Sequence, residues 1–189
     1  MYDALKIIIY PDPRLKKMSK PVTVFDDDLK RLSQRMLELM KEAKGVGLAA
    51  PQVGKNIRLF VMNATGEPGD NRVYVNPVLS DAEGAESAEE GCLSLPDIRI
   101  DVERSRDLKM VAQDVEGNPV QEVQSGYVAR IWQHEFDHLN GIMLIDRMGT
   151  VAKMNYRKTL KDMEEAWDAA HPKPKPTPKS AASPVRKRK

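Results

Sequence analysis

The chain holds one cysteine in 189 residues, Cys92, so no internal disulfide can form. It contains no apolar run long enough to cross a bilayer, and membrane insertion is not expected. Its N-terminus lacks a basic segment followed by a long apolar one, which argues against a signal peptide. A lone cysteine and no targeting segment suit the cytoplasm. No internal repeat is visible, and 189 residues fit one domain plus an extension.

Acids are missing from one stretch altogether. Residues 171–189 hold seven Lys or Arg, five of the 13 prolines and no Asp or Glu. The formal net charge of +2 therefore hides a division, because residues 1–170 carry 23 basic and 28 acidic side chains, a net charge of −5. Alternating Pro and Lys cannot build a packed core, so this tail is expected to be extended or disordered. The expected organisation is a folded unit over 1–170 and a basic extension over 171–189. Such an extension attracts anionic partners without sequence preference, so sequence-specific nucleic-acid binding is not expected.

The body reads as α+β. Strands surround the helices without strand–helix–strand alternation, which points to antiparallel or mixed sheets around a central helix, followed by a C-terminal helix and the tail. Asp26 should cap a first helix whose apolar stripe is Leu29, Leu32, Met36, Leu39, Met40 and Ala43, with Gly45 ending it. Residues 57–63 and 73–75 read as strands, the second ended by Asn76-Pro77. Residues 81–90 are acidic with small side chains and read mostly as exposed loop. Residues 108–111 and 120–123 flank the hairpin-like turn Glu116-Gly117-Asn118-Pro119. Ser125 can cap a second helix that Gly141 stops after Asn140. Residues 142–145 read as a short buried strand, and 151–167 as a last amphipathic helix.

The most informative segment is Gln133-His134-Glu135-Phe136-Asp137-His138 on that second helix. Histidines four apart sit one turn apart on one face and can point at one ion. Glu135 projects about 100° away around the axis, within reach of water at the ion but not of the ligand position. This arrangement suits metal-assisted hydrolysis.

A catalytic site of this kind takes three protein ligands. Downstream candidates are Asp146, Glu164, Glu165 and His171. The two glutamates lie in a helical charge pattern that is more often a solvated face. Upstream, Cys92 stands in Glu89-Glu90-Gly91-Cys92-Leu93-Ser94, and a thiolate is a strong ligand for a borderline-soft divalent ion. A free cysteine alone is more often a small buried hydrophobe. A third segment, Gly45-Val46-Gly47-Leu48-Ala49-Ala50-Pro51-Gln52, is a run of small residues ending in an amide. Its glycines permit close approach of a ligand to the main chain, and no Lys-Ser/Thr pair follows to make it a phosphate loop.

Together these three segments resemble peptide deformylase, whose members carry G-x-G-x-A-A-x-Q, E-G-C-x-S and H-E-x-x-H in this order. The resemblance runs to about Trp167. It implies removal of the formyl group from N-formyl-methionyl nascent chains. It implies that Cys92, His134 and His138 bind a divalent ion, iron(II) first, with zinc, nickel or cobalt as alternatives. Glu135 would be the general acid/base, and the Gln52 side chain and Leu93 backbone N–H would stabilise the oxyanion. Val46, Gly47, Leu93, Tyr127 and Ile131 would line the methionine pocket. Arg130 would sit near the pocket mouth, where many bacterial members carry an aliphatic residue. On its seven positive charges the basic tail is expected to attract an anionic partner, the ribosome first, with a solubilising extension that has no specific partner as the alternative. Two competing readings are a metallopeptidase with Glu164 or Glu165 as third ligand, and a non-catalytic binding protein acting through its tail.

Overall fold

The computed structural model describes Tyr2 and residues 4–172. The extension expected to be disordered lies, from residue 173 onward, outside the described residues. Three helices and seven strands follow one another as α1 (Asp27–Glu42), β1 (Gly47–Ala49), β2 (Leu59–Met62), β3 (Arg72–Glu83), β4 (Glu86–Cys92), β5 (Leu95–Arg104), β6 (Asp107–Gln113), β7 (Pro119–Ser125), α2 (Gly126–Leu139) and α3 (Thr150–Ala170). The strands form a five-stranded sheet in the order β1-β2-β3-β6-β7 and a separate β4-β5 hairpin, with every pairing antiparallel. The class is α+β, as the sequence implies. Among the described residues no helix is long and apolar enough to cross a membrane.

Strand β2 explains the layering. Its four residues are all buried because both sheet faces are covered. Leu59 and Val61 pack with α1, while Phe60 and Met62 pack with α2, following the period-two alternation of a strand. A third core joins Leu95, Ile98, Ile100 and Val102 of β5 to Met143, Leu144 and the half-buried face of α3.

Helix α1 starts where its cap dictates. The Asp26 carboxylate accepts from the backbone N–H of Asp28 and Leu29 at 3.0 Å each. Its stripe Leu29, Leu32, Met36, Leu39 and Met40 is buried, whereas Ala43 falls at the C-cap and is exposed. The helix does not end on Gly45. Lys44 adopts the left-handed conformation (φ 55), with its N–H on Lys41 O at 3.0 Å and that of Gly45 on Met40 O at 2.8 Å. This is the Schellman pairing with lysine where glycine is usual.

Four other expectations are corrected. Strand β3 continues through Asn76-Pro77 instead of stopping there. A bulge with Asn76 at φ 52 absorbs the proline, and the Asn76 side chain bridges Val22 N, Val22 O and Gln113 Oε1. Residues 81–90 are mostly strand, since β3 reaches Glu83 and β4 begins at Glu86. The apolar face of that hairpin comes from β5, so β4 itself shows no hydrophobic period. Residues 142–145 do not form a strand. Asp146 accepts from Met143 N at 2.9 Å and turns the chain into a 3-10 helix over Leu144–Arg147. Ser125 occupies the N-cap position of α2 but makes no side-chain cap bond.

Replacing Asp26→Ala should remove the α1 cap and lower unfolding free energy by about 1 kcal/mol. Urea denaturation measures this, and an unchanged midpoint would show that the cap contributes nothing.

Candidate metal centre

Helix α2 and the β4–β5 hairpin build the centre. Cys92 ends β4, and the strands turn through Leu93 and Ser94 so that Cys92 pairs with Leu95. Its Sγ lies 3.3 Å from His138 Nε2. The His134 and His138 rings are 5.1 Å apart, centroid to centroid. One ligand atom from each of Cys92, His134 and His138 falls within 4.8 Å of the others. A tetrahedral ion with sulfur at about 2.3 Å and nitrogen at about 2.0 Å separates those two ligand atoms by roughly 3.5 Å. The observed spacing fits, and sulfur with two imidazole nitrogens is a donor set for a borderline-soft divalent ion.

The downstream alternatives lie elsewhere. Glu164 accepts from the Tyr10 hydroxyl, Glu165 pairs with Lys161, Asp146 caps Met143, and His171 stacks on Trp167 at 3.7 Å. None joins the two histidines, which removes the third ligand that a metallopeptidase reading requires.

Glu135 is buried at 3% exposure and stands against the backbone of β1. A Cβ added to Gly47 would lie 2.3 Å from Glu135 Oε1, so the carboxylate occupies the space a side chain would take. Its Oε2 has no protein partner. Burial pushes this carboxyl up to about 7, opposed by His134 and reinforced by the negative charge of Glu90.

Gln52 is almost fully buried, and its orientation is fixed from behind. Ala49 N–H donates to its Oε1 at 2.8 Å, which turns Nε2 toward Cys92 Sγ (3.5 Å) and Ser94 Oγ (3.3 Å). Leu93 lies over Gly45, where an added Cβ would come within 2.6 Å of its Cδ1. A cleft of roughly 830 Å³ brings Val46, Gly47, Gln52, Leu93, Tyr127, Ile131, His134 and Glu135 together. Ile131 forms a buried part of this wall, while Tyr127 and Val46 are exposed.

Arg130 also borders the cleft, but its guanidinium is not at the mouth. It is buried and turned into the hairpin, donating to Glu90 Oε1 (2.8 Å), Val102 O (2.8 Å) and Glu86 O (2.6 Å). The ion pair with Glu90 is the reason, because a buried guanidinium needs a compensating carboxylate.

Glu90, Asp137 and Arg104 have no role in the sequence reading. Glu90 Oε2 lies 2.9 Å from His134 Nδ1, which leaves Nε2 of that ring for an ion. Burial raises the Glu90 carboxyl, but hydrogen bonds from His134 and Arg104 outweigh it and hold it at about 2. Asp137 takes Arg104 Nη1 at 2.6 Å and Arg147 Nη2 at 2.5 Å. The signals were present in the sequence. Glu90 and Asp137 stand inside the quoted motifs, and Arg104 falls in the inward phase of Ile98, Ile100 and Val102.

A family model described as polypeptide deformylase matches residues 4–154. A peptide deformylase of Thermotoga petrophila is 46% identical over 159 residues, covering 84% of this chain and 95% of that one. The chloroplastic peptide deformylase 1B of Oryza sativa subsp. japonica is 42% identical over 167 residues, covering 87% of this chain and 62% of that one. A solved peptide deformylase structure from Plasmodium falciparum superposes with a TM-score of 0.86 at 39% identity, covering 89% of this chain and all of that one. Similarity of this extent includes the helix, hairpin and glycine-rich segment that meet at Cys92, His134 and His138, and the chain belongs to the peptide deformylase family.

Proposed function

We propose that this deformylase acts on N-formyl-methionyl nascent chains with Glu135 as its proton carrier. The observation that carries the reading is the enclosure of the Glu135 carboxylate against Gly47, beside the Cys92, His134 and His138 cluster. Those three residues would hold a divalent ion, which supplies Lewis acidity and acidifies water at neutral pH. Glu135 takes the proton of the attacking water as its oxygen bonds to the formyl carbon. The developing oxyanion accepts from Gln52 Nε2 and from the Leu93 backbone N–H. Loss of one such donor costs on the order of 3 kcal/mol of barrier. Glu135 then passes its proton to the amine nitrogen as the carbon–nitrogen bond breaks, releasing formate and the free methionyl terminus.

The methionine side chain would lie along Val46, Gly47, Leu93, Tyr127 and Ile131. Their common position on one cleft supports this. The methylene stem of Arg130, whose head is tied to Glu90, would add to the same wall. The intact Glu135 argues against a binding protein that works only through its tail.

Iron(II) is the ion we favour for this donor set, with zinc, nickel or cobalt as alternatives that affinity order does not exclude. The cytoplasm is the compartment we favour, on the sequence argument alone. The catalytic unit would be residues 1–170, with 171–189 as a separate basic extension that draws the enzyme to the ribosome.

Glu135→Gln should retain the ion and lower kcat by about 10²–10⁴-fold on a formyl-methionyl peptide. Parallel deformylase, aminopeptidase and metal-content assays check this, and loss of the ion would make Glu135 a ligand. Anaerobic purification should yield iron at about one per chain and higher activity than purification in air. Zinc as the resident ion in anaerobic protein would reject iron. A chain truncated after Ala170 should keep its rate on a short formyl-methionyl peptide and bind ribosomes less well at low salt, with the difference shrinking as salt rises. Identical ribosome binding by full-length and truncated chains would reject the role of the tail.

A further inference from the structure

We propose that Arg104 is the positioning residue of the metal centre. Its single guanidinium, acting through Glu90 and Asp137, sets the direction in which His134 and His138 project. The inference rests on the reading of Cys92, His134 and His138 as the ligand set.

Arg104 ends β5 and is almost fully buried. Its Nε and Nη2 donate to the two oxygens of Glu90, each at 3.0 Å. Its Nη1 donates to Asp137 Oδ2 at 2.6 Å. Glu90 in turn holds His134 Nδ1 at 2.9 Å. Residues 134 and 137 are three apart on α2, so they share a face about one turn apart. Arg130 and Gln133 tie the earlier turns of α2 to the hairpin and to Ser105, and the rigid Arg104 fork adds two coupled anchors, through Glu90 and on Asp137, that set the rotation of the turn carrying both imidazoles. That rotation decides where both imidazoles point. The Glu90 contact also assigns the proton of His134 to Nδ1, so that Nε2 carries the lone pair.

The other arginines do less. Arg130 touches Glu90 and backbone carbonyls but not Asp137. Arg147 touches Asp137 but not Glu90. Arg104 is the arginine that touches both carboxylates among the described residues. Its removal leaves Glu90 with Arg130 and Asp137 with Arg147, so neither carboxylate is stranded. What disappears is the tie between them. Lysine cannot replace the tie, because a point ammonium lacks the planar fork.

The test uses full-length protein and zinc(II) alone as the probe. Zinc affinity is measured by competition with a chromophoric chelator, and the His134 ring tautomer by nitrogen–proton correlation spectra of zinc-free protein above the imidazole titration range. Arg104→Met should fold, lose about 10–100-fold in zinc affinity, and show a mixed His134 tautomer in place of Nδ1–H. Arg104→Lys should recover only part of the affinity. Arg147→Met breaks the other side of Asp137 and should change zinc affinity less than about threefold, whatever it does to stability. Wild-type affinity and tautomer in Arg104→Met would overturn the proposal, as would an equal loss in Arg147→Met. If Arg104→Met does not fold, Arg104→Lys decides: wild-type affinity overturns the proposal and a fall supports it. Cys92→Ser binding zinc as tightly as wild type would instead overturn the ligand set.

Discussion

The fold depends on enclosing a polar helix. Helix α2 carries Arg130, Glu135, Asp137 and His138 in buried positions, with His134 beside them. Each of these groups loses solvation on folding and needs a partner or a cost elsewhere. The hairpin supplies partners for Arg130, His134 and Asp137. Glu90 on β4 and Arg104 on β5 reach α2 and form a chain of alternating charge from Arg130 through Glu90, Arg104 and Asp137 to Arg147. The opposite side of α2 packs Ala129, Trp132 and Leu139 against the five-stranded sheet.

Such a chain is a poor source of stability. Replacing a buried ion pair by apolar residues of similar volume is often neutral or stabilising by about 1–4 kcal/mol. Its retention beside the metal centre is better explained by geometry, because ion pairs with fixed forks define angles that packed methyl groups do not. The apolar layers hold the sheet and helices together, and the charged layer defines where two imidazoles and a thiol meet. The glycines of the first motif complete this division. Gly47 yields its side-chain space to Glu135 and Gly45 yields its own to Leu93.

The fold was partly legible. The Asp26 cap, the stripe of α1, the β6–β7 hairpin and the last helix follow from local signals that the tertiary structure leaves intact. Elements whose apolar partner lies on another strand were not legible. Strand β4 carries Ser87, Ala88, Glu89 and Glu90 and reads as loop until β5 is laid beside it. Asn76-Pro77 reads as a stop because the three bonds that hold the bulge come from Val22 and Gln113, far away in sequence. Residues 142–145 are apolar enough for a strand, but the Asp146 carboxylate on Met143 N and the backbone bond of Ile142 N to Asp137 O go with a 3-10 turn instead.

The sequence by itself set His134 and His138 on one helical face with Glu135 between them, because helical spacing is a local property. Cys92 and the glycine-rich segment joined them only through the resemblance of three ordered motifs to one family. Only the tertiary structure decided how these side chains are held. Cys92 and His138 are 46 residues apart and meet at 3.3 Å. Glu90 and His134 are 44 residues apart, and Arg104 and Asp137 are 33 apart. Arg130, expected at the pocket mouth, is drawn inward by a carboxylate 40 residues upstream. Orientation at a buried site is set by charge compensation across the core, and no local pattern encodes which residues will face each other there.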